Sequence, residues 1–229
     1  MSQQLQIFNV PYFAPCSKDY YVEINGKPIS VHSVTVSSKP TNEMWRGTQR
    51  STAETEQASL INFNFSGSVS LRVVCAWEIF NARILPEAKN IKPVRASKNK
   101  GDEVIFTITE PGQYVLEING LHSPLHILAN PIEEYAPAPL SHNVDYRQVD
   151  EKQNFPGPYK NNPRYIAEGK NLIYFGPGIH HVDKLIVKSN QSVYIHGGAV
   201  VYGTIFAENG KEGLKVTICL PRYDGGLKI

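Results

Sequence analysis

Cysteine is scarce in this 229-residue chain: Cys16, Cys75 and Cys219 are far apart and odd in number. Neither a disulfide framework nor a paired-thiolate metal site is encoded, and the three are expected to be free, mostly buried thiols. An excess of one charge is also lacking, since 23 Lys+Arg against 21 Asp+Glu leave a dispersed net charge of +2. With no polybasic run, neither a nucleic acid nor an anionic membrane is expected as partner. Long apolar runs are missing too. The start MSQQLQIFNVPYF has no charged n-region and no continuous apolar h-region, so no signal peptide is visible, and no stretch approaches a membrane span. The expectation is a cytosolic chain or one whose leader has been removed. Neither GxxxxGKS/T nor GxGxxG ahead of a helix pattern occurs, so no phosphate cradle of those types is present and no cofactor is implied.

What the chain does have is short strand signals, and its length allows one large or two ordinary domains. After an N-terminal extension (1–19), residues 20–130 read as a β-sandwich. YYVEINGKPISV sets Val22 and Ile24 against Ile29 and Val31 around Asn25-Gly26, a strong hairpin signal. INFNF and SVSLRVV alternate, and DEVIFTITEPGQYVLEING gives two strands joined at 110–113. Strands recur about every ten residues, as in a two-sheet sandwich. The polar stretch 41–57, holding Trp45, reads as a loop. Residues 131–170 carry six prolines (131, 137, 139, 156, 158 and 163) and read as a linker or long docked loop, some of which should pack on a neighbour.

Residues 171–229 repeat. VYIHGGAVVYGTIF (193–206) matches IYFGPGIHHVDKLI (173–186) at an offset of twenty: Tyr174 on Tyr194, Pro177 on Gly197, Gly178 on Gly198, Leu185 on Ile205 and Ile186 on Phe206. Such a period, with β-branched and aromatic runs broken by paired small residues, marks coils that stack at strand spacing, roughly 4.8 Å. A left-handed hexapeptide helix is the rival, but the segment from Ile173 does not hold its strict spacing of six. A third coil is placed at 214–220.

The succession of a sandwich, LHSPLHILANP, a proline-rich connection and NLIYFGPGIHHVDKLIVKSNQSVYIHGGAVVYGTI resembles the N-terminal part of the β-helical glycoside hydrolases, the dextranase, isopullulanase and polygalacturonase group. The likeness is most specific over 172–205. It implies an all-β fold: a β-sandwich followed by the first coils of a right-handed parallel β-helix of the pectin-lyase-like kind. It further implies a polysaccharide as partner and a secreted or periplasmic setting. Hydrolysis needs two carboxyl groups flanking the glycosidic bond. In the resembled group these aspartates project from coils further downstream. The signatures NTD, DD, GHG and RIK are absent here, and Asn143-Val144-Asp145 is an imperfect echo in the linker. The chain therefore reads as a truncated member, inactive alone, with no catalytic residue of its own. Its alternative is a non-catalytic module binding carbohydrate or a partner. If truncated, it would expose the last coil and self-associate through that open end.

Other candidate residues have plainer readings. His180, His181, Asp183 and His196 could approach one another, with His180 aligned on Val200 and His196 on Gly176. Because His180 and His181 point to opposite faces of a strand, no metal site is expected and the histidines should be exposed or capping. Gly176, Gly178, Gly197 and Gly198 read as tight corners. Asp224, before Gly225-Gly226, reads as a turn former. Trp45, Trp77, Tyr20 and Tyr21 could stack on sugar rings, although core packing suits Trp77 better.

Overall fold

The computed structural model describes residues 4–11, 13–36, 56–97, 102–120, 123–133, 145–148, 164–168, 172–187, 192–207 and 217–219. These residues are all-β, with no α-helix among them and a single 3-10 turn at Glu87–Lys89. The chain divides into two compact units, Met1–Val10 with Pro15–Ile132, and Pro11–Ala14 with Glu133–Ile229.

Among the described residues the first unit holds eleven strands: β1 (Gln4–Phe8), β2 (Tyr20–Ile24), β3 (Lys27–Ile29), β4 (His32–Val36), β5 (Glu56–Ser66), β6 (Val69–Cys75), β7 (Ala82–Leu85), β8 (Val94–Ser97), β9 (Asp102–Ile108), β10 (Gly112–Ile118) and β11 (Leu125–Pro131). One sheet runs β1-β5-β11-β10-β7, with β4 also on β5; the other runs β3-β2-β6-β9-β8. The hairpin read from YYVEINGKPISV forms with Val22 opposite Ile29. Asn25 and Gly26 have φ of 51° and 75°, the left-handed pair that a type I′ turn requires.

Alternation along the strands determines what is buried. In β6, Val69, Leu71, Val73 and Cys75 point inward and the residues between them outward. They meet Val22, Ile24, Val104, Phe106 and Ile108 of their own sheet, and Ile61, Phe63, Phe65, Leu116, Leu125 and Ile127 of the other, in one core. Each fully buried side chain of this size stabilises by about 1.5–3 kcal/mol relative to exposure. Tyr114 enters the core because its phenol donates to the Glu110 carbonyl at 2.7 Å.

Sheet membership differs from a plain meander. The strands read as joined at 110–113 are indeed consecutive, yet β9 and β10 lie in different sheets, so the connection is an arch rather than a hairpin turn. β5 and β6 are related in the same way, with Gly67 at φ 82° in the crossing. β11 then closes beside β5 in parallel, Ile127 opposite Ile61. Of the 41–57 stretch, residues 56–57 open β5, and Trp45 lies outside the described residues.

In the second unit, β12 (Asp145–Gln148), β13 (Arg164–Glu168) and β14 (Leu172–Phe175) pair antiparallel in succession, so the proline-rich stretch contributes two strands. Here the repeat takes physical form. β14 pairs in parallel with β16 (Ser192–Ile195), and β16 with β18 (Thr217–Cys219). β15 (Gly178–Val187) pairs in parallel with β17 (Ala199–Ala207). Tyr174 faces Tyr194, Leu185 faces Ile205 and Ile186 faces Phe206, the pairs that the offset of twenty anticipates.

Between these anchors the register slips. Gly178 faces Ala199 and His180 faces Val201, not Gly198 and Val200 as the offset of twenty requires. The second corner, 196–198, is one residue longer than the first, 176–177, and a bulge between Val182 and Lys184 restores the offset. The step to β18 is larger still, with Ser192 facing Thr217.

Candidate functional site

The residues with chemistry in the second unit gather at the corner between β16 and β17. Val193 points into the buried cluster of this unit; Tyr194, also buried, lies on the opposite face of the strand, and its phenol donates to Glu133, which follows β11 by two residues. His196 begins the corner. Its Nδ1 accepts the Gly198 N–H at 3.0 Å, its carbonyl accepts the Ala199 N–H at 2.8 Å, and its N–H donates to the Phe175 carbonyl at 2.9 Å. The Gly198 carbonyl in turn accepts from the Gly178 N–H at 3.0 Å. The histidine is thus a side-chain cap that ties one corner to the next.

Because Nδ1 accepts a hydrogen bond, the neutral ring carries its proton on Nε2. Burial holds its pKa below the usual histidine value, and the Glu133 carboxylate works against that shift. A neutral imidazole N–H, a phenol and a carboxylate can bind hydroxyl groups. They do not make the pair of flanking carboxyl groups that glycosidic hydrolysis uses.

His180 and His181 face opposite sides of β15. His180 is 1% exposed, so of the two expectations, exposed or capping, it takes the second: it packs edge-on to Phe175 with ring centroids 5.3 Å apart. Its Nε2 lies 2.7 Å from the Gly176 carbonyl, and a carbonyl can only accept, so that nitrogen carries a proton and caps the corner. His181 stacks on Tyr202 at 5.1 Å. Among the described residues no group of three or more His, Cys, Asp or Glu is placed to hold a metal ion. Asp183 sits at the bulge, where only its backbone is described.

Of the sugar-stacking candidates, Tyr20 is a core residue and the half-buried Trp77 packs against that core: their rings meet edge to face at 5.5 Å and the Tyr20 phenol donates to the Ser123 carbonyl at 2.6 Å. Tyr21 alone of the described candidates is exposed. Cys75 is buried as expected, its thiol pushed up mainly by that burial, while Cys16, bridged to His32, is exposed. Asp145 opens β12 and Cys219 closes β18, both with only the backbone described. Asn143, Val144, Asp224, Gly225 and Gly226 lie outside the described residues.

Two residues were not legible as functional. Glu133 sits 61 positions from Tyr194 in a run that reads as linker, and no local pattern links them. Gly203 lies inside a strand, where an isolated glycine is the recognised sign of a bulge or a close backbone approach. It has φ 138°, and a Cβ there would stand 1.4 Å from the Val182 carbonyl oxygen, against the bulge.

No protein-family model matches the chain, and no curated protein matches it in sequence. Among solved structures, Dex49A from Penicillium minioluteum is similar with a TM-score of 0.47 at 14% identity, over 88% of this chain and 47% of that one. The chain therefore spans about half the length of that neighbour.

Proposed function

We propose that this chain is the front portion of a polysaccharide-degrading glycoside hydrolase, a sandwich followed by the first coils of a right-handed parallel β-helix. The observation that carries the reading is the parallel pairing of β14 with β16 and of β15 with β17, repeats of one another, in a chain that begins with a sandwich. A sandwich alone hosts many functions; a sandwich continued by like-on-like coils is the order seen in the sequence resemblance. Within this reading the chain does not cleave, since the aspartate signatures that would supply acid and base are absent from its sequence.

The reading is tested in the genomic DNA beyond codon 229 and in the assay tube. The downstream frame, read through any frameshift, is expected to encode further coils of about twenty residues with paired aspartates. The purified chain is expected to show no turnover of dextran, pullulan or polygalacturonate above a blank. Turnover that disappears in Glu133→Gln, or a downstream sequence with no coil pattern, overturns the proposal.

A further inference from the structure

The outward face of the β3-β2-β6-β9-β8 sheet carries an ordered pattern that the fold does not need. Strand register places two rows side by side across four strands. One runs Tyr21, Val74, Glu103 and Ala96; the other runs Glu23, Arg72, Ile105 and Val94. Arg72 lies at the centre. Its Nε donates to Glu103 at 2.8 Å, its Nη2 bonds the same oxygen, and its Nη1 lies 3.4 Å from Glu23. Glu23 also accepts from the Tyr21 phenol at 2.8 Å. The Tyr21 ring is thereby fixed at the edge of an ion triad while 48% exposed.

From this geometry we infer that the outer sheet face around Tyr21, Glu23, Arg72 and Glu103 binds a neutral polysaccharide chain lying across the strands. The inference rests on the proposed function and names the polymer class. An exposed aromatic face offers its negative π surface to the C–H face of a pyranose. Carboxylate oxygens accept from sugar hydroxyls, and a guanidinium whose fork is held by two carboxylates is a rigid donor. Ordering this site on binding costs little, because its side chains are already tied to one another. The rows are four strands wide, about 14 Å between the outer two, which suits an extended polymer rather than an enclosed small molecule. Charge selects among polymers. Two carboxylates against one guanidinium leave a net negative triad, which favours an uncharged glycan and repels a polyuronate.

The test is native electrophoresis of the full chain through gels containing dextran, pullulan or polygalacturonate. At least one neutral glucan is expected to retard the chain, and polygalacturonate is expected not to. Tyr21→Ala should weaken the retardation about two- to tenfold, the loss of one stacked ring. Tyr21→Phe, which keeps the ring, should retain most of it, and Phe80→Ala, which removes a 75% exposed ring elsewhere in the unit, should change nothing. Absence of retardation by either glucan, equal retardation of the wild type and Tyr21→Ala, or retardation by polygalacturonate alone overturns the site. None of these outcomes touches the hydrolase reading, which stands or falls on the downstream sequence and the turnover assay.

Discussion

The two units of this chain solve the same problem in different ways. In the sandwich, two sheets of unlike sequence face one another and, among the described residues, bury 23 in one core. In the second unit, β14 and β15 pair in parallel with their repeats β16 and β17, and the buried cluster among the described residues is Ile173, Phe175, Val182, Val187 and Val193. The first arrangement is closed, because each inner face has the other to cover it. The second is additive, since a coil covers its neighbour and relies on the next one for its own cover. Stability should therefore concentrate in the sandwich, and tolerance of backbone change should be lower in the coils, where an error in one turn displaces the turn above it.

The sharpest way to break this comparison is to damage each unit by a single residue. Phe63 is fully buried at the centre of the sandwich, against Phe65 at 5.8 Å. Phe63→Ala is expected to cost about 3–5 kcal/mol, from lost transfer energy and the cavity left behind. Denaturant unfolding followed by near-ultraviolet circular dichroism reads it, and a cost below about 1 kcal/mol would show that the core is not continuous across the sheets. In the coils the sensitive position is a backbone one. Gly203→Ala must push the Val182 carbonyl aside and hold an alanine at φ 138°. The expected cost is about 2–3 kcal/mol. It should appear as lost amide exchange protection in β15 and β17 with β2, β6 and β9 unchanged. Protection of β15 and β17 equal to wild type would mean that the close approach at Val182 is not held in solution.

The same contrast explains what could be read beforehand. Alternation in the sandwich strands reports which side chains share a face, so the inward set of β6 or β2 was legible from one sequence. It says nothing about which strand lies alongside, and so the arches from β5 to β6 and β9 to β10, and the parallel pairing of β11 with β5, were not. In the coils the partner is the repeat itself, and Tyr174 on Tyr194 could be paired at sight. What failed there was local. An extra corner residue at 196–198, and a bulge to absorb it, moved His180 from Val200 to Val201. Of the candidate sites, the histidine corners were legible as caps, whereas Glu133 with Tyr194 and the Arg72 triad join residues distant in sequence, where no local spacing carries a signal.

The smallest expected effect compares the units through one residue type. His32 in the sandwich and His196 in the coils both have pKa values lowered by burial. A group whose folded pKa is depressed favours the neutral form in the folded protein. Its contribution is fully present above the unfolded value near 6.5 and is lost as pH falls through the folded value, so both units should weaken on acidification below about 6.5. They should not weaken alike. Protonating His196 also removes the acceptor that Nδ1 offers the Gly198 N–H, whereas burial is the one cause acting on His32. Each histidine is only half buried, and screening keeps the effect below about 1 kcal/mol. His196→Asn supplies a side-chain oxygen that can cap the same N–H and cannot titrate. It is expected to flatten the pH dependence of exchange protection at the β16–β17 corner between pH 7 and 5, while that of the sandwich strands stays as in wild type. If the corner remains as acid-sensitive with asparagine as with histidine, the hydrogen bond from the Gly198 N–H to the ring is not the source of that sensitivity.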